Sequence, residues 1–144
     1  MPFTGLGNLI VGYNEVPFNG LGAEERAGAH NLVVGRNHRY SSFGGLVAGV
    51  ENTITGAEAS VSGGAGNDAS GSSASVSGGS ANVASSLSAS VSGGFLNTAS
   101  GDYASVSGGN SNTASGDFAS VGGGRNRSAT GIYDWCGGDD CNTQ

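Results

Sequence analysis

Basic residues are scarce in this chain: Lys and Arg together number five, against eleven Asp and Glu, for a formal net charge of −6 at pH 7. That shortage excludes a general nucleic-acid footprint, which needs clustered cations along the phosphate backbone. Proline is scarce too, at two residues, and charged residues make up only 11% of the chain. Disordered chains are usually rich in both, so the plentiful Gly and Ser do not by themselves argue for a flexible linker. No apolar run approaches the roughly 18 residues that span a bilayer, so no membrane insertion is expected of this segment. The N-terminus, MPFTGLGNLIVGYNE, has no basic stretch leading into a long apolar one, and no secretory signal is read there.

Repetition takes the place of these features. The hexapeptide ASVSGG begins at Ala59, Ala74, Ala89 and Ala104, and ASVGGG begins at Ala119. Its valines, Val61, Val76, Val91, Val106 and Val121, are 15 residues apart, and Val33 and Val47 precede them at steps of 14. LIVGYN from Leu9 aligns with LVVGRN from Leu32, which puts Ile10 at the Val position across a step of 23. The first two coils are thus separated by an insertion, placed at residues 13–30, of about nine extra residues. The second half of each unit reads NDAS, NVAS or NTAS from Asn67, Asn82, Asn97 and Asn112, with NTIT from Asn52 upstream.

Each unit therefore reads as a short strand, a Gly-Gly turn, a second short strand and a Gly turn. Strands this short do not stand alone, but stacked at about 4.8 Å per coil they form parallel ladders. The expected fold is all-β: a parallel β-solenoid of about eight coils of 14–15 residues, roughly 35–40 Å long. It is expected to occupy residues 1–135 as one domain, with a cysteine-containing tail at 136–144. Side chains alternate along a strand, so the Val series and two Ala per coil point into a narrow lumen. The recurring Asn52, Asn67, Asn82, Asn97 and Asn112 are expected to stack as a ladder bonding backbone at the bend. On the opposite face, Ser62, Ser77, Ser92 and Ser107 stand where earlier coils have Val11, Val34 and Ala48. One Val and two Ala bury little against the entropy of ordering a whole coil, so an obligate homo-oligomer is expected to bury that second face.

The run NLVVGRNHRYSSFGGLVAGVENTITGAEASVSGG, followed by NTASGDYASVSGGNSNTASGDFAS, resembles the head repeats of YadA-like trimeric autotransporter adhesins and related bacterial surface fibres. The resemblance runs from about Leu9 to Trp135. It implies a left-handed β-roll, three chains packed side by side, a place outside the cell or on its surface, and a role in attachment or in spacing an adhesive tip. The family motif reads more like SVAIG at a period of roughly 14. The chain shows no heptad stalk or anchor barrel. An autotransporter, a phage-type tail fibre and another secreted fibre therefore all stay open as the parent.

Binding is expected where the repeat breaks. The insertion holds Pro17 and the charged cluster Glu24, Glu25 and Arg26, and reads either as a binding loop or as a cap or clasp. Tyr103, Phe118 and Tyr133 occupy one position in successive units, as packing or as a platform for a sugar or apolar patch. In the last stretch, Arg125 and Arg127 replace neutral residues, and Trp135 is expected to plug the open end. Cys136 and Cys141 enclose four residues; a short-loop disulfide suits an oxidising setting, while two thiols without a nearby His fall short of a zinc site. The ligand-contact candidates are thus Arg125, Arg127, Tyr133, Trp135, Glu24 and Arg26, facing a surface glycan or protein receptor.

No enzyme is expected, and no cofactor. A 15-residue period does not divide into the hexapeptide coils of acyltransferases, and His30 and His38 both fall in turns, His38 at an Asn position. No Ser-His-Asp set, paired carboxylates or phosphate loop appears. An ice-binding face needs a regular Thr array, and that position reads Asp68, Val83, Thr98, Thr113 and Ser128.

Overall fold

The computed structural model describes residues 6–15, 23–137 and 140–142, without the side chains of Ala23, Glu24, Asp140 and Asn142. The chain winds into an all-β parallel solenoid of about seven turns, with two sheets running its length. The Val sheet takes its strands from the first half of each unit: Leu9–Val11, Leu32–Arg36, Leu46–Val50, then two-residue Ser-Val strands from Ser60–Val61 to Ser120–Val121, and Trp135–Gly137. The Ala sheet holds seven strands, from Arg39–Tyr40 and Thr53–Ile54 to Ser128–Ala129. Except at the last strand, Asp140–Asn142, strands pair in parallel with their counterparts in the neighbouring units, as in Val91 beside Val76 and Val106, or Ala99 beside Ala84 and Ala114. Among the described residues, no Ala-sheet strand lies between Leu9–Val11 and Leu32–Arg36.

Alternation fills the lumen as the side-chain period of two requires. Val61, Val76, Val91, Val106 and Val121 are fully buried, with Ala59, Ala69 and their counterparts packed against them. In the first turns Tyr40 and Ile54 take the place of Ala and are equally enclosed. The Tyr40 hydroxyl donates to Asn14 Oδ1 at 2.8 Å and so remains satisfied inside the roll.

The change from 14 to 15 residues per turn has one location. Leu32–Arg36 and Leu46–Val50 pair over five residues, whereas Ser60–Val61 pairs with Leu46–Val47 only. Pairing resumes at isolated bridges running from Val50 through Ala65, Ser80, Phe95 and Asn110 to Arg125. Two residues lie between Val47 and Val50 but three between Val61 and Ala65, so the coil of Val61 carries a one-residue bulge against the coil before it, and later coils keep the extra residue in step.

Each turn has positive φ at three recurring positions, joined at Gly93, Gly108 and Gly123 by the first Gly of the pair, and Gly fills only one of the three throughout. The second Gly of the pair has φ of 81° at Gly64 and Gly79 and 89° at Gly94. The residue before each ladder Asn is also left-handed, as at Ala81, Leu96 and Ser111, and so are Glu58, Ser73, Ser88, Tyr103, Phe118 and Tyr133. Such conformations cost non-Gly residues about 1 kcal/mol or more each. The ladder holds them: Leu96 N–H donates to Ser80 O at 3.1 Å, and Tyr103 N–H to Leu87 O at 2.8 Å.

The C-terminal end departs from the expected boundary between 135 and 136. Trp135–Gly137 is a strand of the Val sheet, Cys136 stands beside Val121 in the core column, and Asp140–Asn142 returns antiparallel along it. The cysteines therefore belong to the roll and close its end.

Candidate functional site

The Asn column ties each turn to the next through side chains. Asn52 Oδ1 accepts the backbone N–H of Asn67 at 2.8 Å, and the same bond joins Asn67 to Asn82, Asn82 to Asn97 and Asn97 to Asn112 at 3.0 Å. Each amide nitrogen donates across the corner. Asn97 Nδ2 reaches Gly93 O at 2.9 Å and Gly109 O at 3.0 Å. The amides are fully enclosed, so they hold backbone and present nothing to a ligand.

Two other side chains complete the column. His38 begins it: Nδ1 accepts Asn52 N–H at 3.2 Å while Nε2 lies 3.0 Å from Val34 O. Those partners define a neutral ring protonated on Nε2. Burial lowers the pKa of His38, against smaller opposing effects of backbone contacts and of Glu15. Arg127 ends the column, its N–H donating to Asn112 Oδ1 at 2.9 Å. A second, shorter Asn link had no visible signal in the repeat. Asn8 Oδ1 accepts Asn31 N–H, and Asn31 Oδ1 accepts Gly45 N–H, both at 2.8 Å, in the column where later turns carry Ala.

The insertion clasps the first turn of the Ala sheet. Glu25 and Arg26 lie on the 3-10 helix Ala23–Arg26, and Glu24 lies there with its side chain outside the described residues. Glu25 Oε2 and Arg39 Nε form an ion pair at 2.8 Å. Arg26 donates to Asn14 O, and Gly28 N–H to Tyr40 O at 2.8 Å. Arg26 is thus engaged within its own chain. Beside it, Gly12, Gly35 and Gly49 floor a groove of about 410 Å³ flanked by Tyr13, Glu15 and Arg36. On the outer Ala-sheet face, burial pushes the Asp68 carboxyl up, against a hydrogen bond from Ser70 and the charge of Arg39.

Apolar residues come to the surface in three places. Leu9, Val11 and Leu32 lie exposed on the outer Val-sheet face, in register with the Ser columns that follow. Phe95 and Leu96 mark the corner leading from the Val sheet to the Ala sheet. At the other corner the rings of Tyr103, Phe118 and Tyr133 stack, with centroids 5.1 and 5.0 Å apart. Asp102 and Asp117 form a column beside the rings: Asp117 Oδ1 accepts Asp102 N–H at 3.1 Å, and Asp102 Oδ1 accepts Leu87 N–H at 3.2 Å.

Trp135 does not plug the end of the roll. It continues the outward Ser column beside Ser120, is 55% exposed, and lays its indole over Gly137, where any side chain would collide with the ring. The closure comes from residues beside it. Cys136 and Cys141 face each other across the return strand and are joined by a disulfide. Asp134 is buried in the Ala column and its Oδ2 accepts Gly131 N–H at 2.6 Å, a place filled by the following coil elsewhere. Arg125 and Tyr133 are exposed half a turn apart, on opposite corners of the same end that carries Trp135, while Arg127 is half-buried in the Asn column.

Among the described residues, no group of three or more His, Cys, Asp or Glu side chains comes together in a way that could hold a metal ion. No helix among them is long and apolar enough to cross a membrane. No protein-family model matches the chain, and a search of curated proteins returns no match either.

Proposed function

We propose that this chain is a non-enzymatic head or fibre segment of a surface adhesin, a rigid roll that assembles side by side as a homotrimer and carries attachment to a host or bacterial surface. The observation that supports this reading best is the division of labour within the coil. From Ala59 to Ala129 the inward positions are spent on small apolar groups and backbone-holding amides, while large apolar and aromatic side chains stand half-exposed at the corners and on one face. A solitary roll gains nothing from exposing them, whereas a neighbouring roll buries them. The resemblance to YadA-like head repeats points the same way, and the disulfide suits an oxidising, extracellular setting.

A second reading is a rigid spacer in a phage-type or other secreted fibre. The uniform coils from Ala59 to Val121 favour it, since a shaft needs only length and stiffness. A binding screen against glycan arrays and bacterial cell surfaces separates the two. The adhesive reading expects binding that is lost when residues 125–144 are removed. Absence of binding by a correctly assembled particle favours the spacer.

A further inference from the structure

The roll has two edges, and their chemistry is complementary at two levels. One edge is the corner that leads from the Val sheet to the Ala sheet, along the bridge column Val50, Ala65, Ser80, Phe95, Asn110 and Arg125. The other is the corner that leads back, where Leu87, Asp102 and Asp117 stand beside the stacked rings. Connectivity puts the edges on opposite sides of the two sheets.

Residues half a turn apart along the chain lie within half a coil of one another in height, or about 2.4 Å. At the level of Phe95 and Leu96, exposed by 46% and 48%, the opposite edge carries Leu87 and Tyr103, exposed by 41% and 50%, with Asp102 next to Tyr103. Between Ala65 and Ser80 in height it carries small Ser72 and Ser73. On the two sides of the Arg125 level it carries Asp117 with Phe118 and Ile132 with Tyr133. Apolar side chains thus meet at one level, and at another the cation meets a carboxylate with aromatic rings beside it.

We infer that a second copy of this chain docks on each edge, so that copies join edge to edge, parallel and in register, with Arg125 of one protomer against Asp117 and its ring column on the next. The inference rests on the homotrimeric reading and specifies its contacts. An interface between unlike edges is heterologous, and such an interface closes when the rotation returns to the first copy. Pairing like edges instead sets the Asp102 and Asp117 columns against each other, which like-charge repulsion disfavours. An antiparallel arrangement takes Arg125 away from the acidic column altogether.

Charge reversal tests this directly, on the full chain. Arg125→Glu and Asp117→Arg each alter an exposed side chain, and circular dichroism verifies that the roll persists. Each is expected to raise the trimer dissociation midpoint about tenfold in sedimentation equilibrium. The double variant Arg125→Glu/Asp117→Arg restores the wild-type midpoint, because every interface again holds one of each sign. As a second measurement, Leu87→Cys/Leu96→Cys is expected to give disulfide-linked trimers, since these positions are on opposite edges of one chain. Trimers that ignore the single reversals and do not cross-link overturn the edge pairing while leaving the trimer intact. A monomeric wild type overturns both.

Discussion

Asn97 Oδ1 accepts the backbone N–H of Asn112 at 3.0 Å while Asn97 Nδ2 bonds two glycine carbonyls on the neighbouring corner. One buried side chain thus bonds three backbone groups. Gly109 O also accepts Phe95 N–H at 2.9 Å, so Asn97→Ala strands chiefly the buried Asn112 N–H and is expected to cost about 2 kcal/mol, read as a lowered urea midpoint. Ser92→Ala, an exposed change in the adjacent strand, is the control and is expected to stay within about 0.5 kcal/mol. Equal stability of the two variants would contradict the ladder's role.

The His38 column start makes stability depend on pH. Its folded pKa lies below the ordinary value of 6.5 because of burial, so the folded state resists protonation more than the unfolded state does. Stability is complete above that value and falls as pH drops from it toward the folded pKa. Asp68, raised by burial, works in the opposite sense, losing its contribution as pH rises through and above the ordinary carboxylate range. His38→Asn, which installs the residue used elsewhere in the column, is expected to remove the loss that sets in as pH falls below 6.5 in thermal melts. Persistence of the full loss in that variant would refute the assignment.

The two glycines of a pair are unequal. A Cβ at Gly79 overlaps the carbonyl oxygen of Gly94, and φ there is 81°, whereas a Cβ at Gly78 meets nothing within 4 Å. Gly79→Ala is expected to cost about 3 kcal/mol or more, and Gly78→Ala less than about 0.5 kcal/mol. Denaturant titration of both variants checks the asymmetry.

Reduction of the Cys136–Cys141 disulfide releases a short loop, and by loop-entropy reasoning this costs about 2 kcal/mol. Its effect is local, because the return strand pairs only with Trp135–Gly137. Hydrogen exchange in reductant is expected to quicken at residues 134–142 and to leave the coils around Val76 and Val91 protected. Uniform quickening along the chain would show that the end is not an independent cap.

The repeat was readable because a period of two within each strand and of 15 between strands leaves Val91, Ala89 and Ala99 no place but the lumen. The ladder of Asn67 to Asn112 was readable for the same reason. The bends were not, because composition suggests Gly for left-handed backbone while Tyr103, Leu96 and Ala81 are held there by hydrogen bonds to the turn before. Asn31 and Asp134 were hidden by standing where an Ala column was expected. Trp135 was misplaced because alternation, which puts Cys136 inward and its neighbour outward, was not carried through to the last strand.

The most direct measurement is the mass of the particle in solution by analytical ultracentrifugation at micromolar concentration. The proposed assembly predicts three chains of 13.9 kDa each, persisting on dilution until the β-sheet signal itself is lost. A stable single chain that keeps its native sheet spectrum would contradict it.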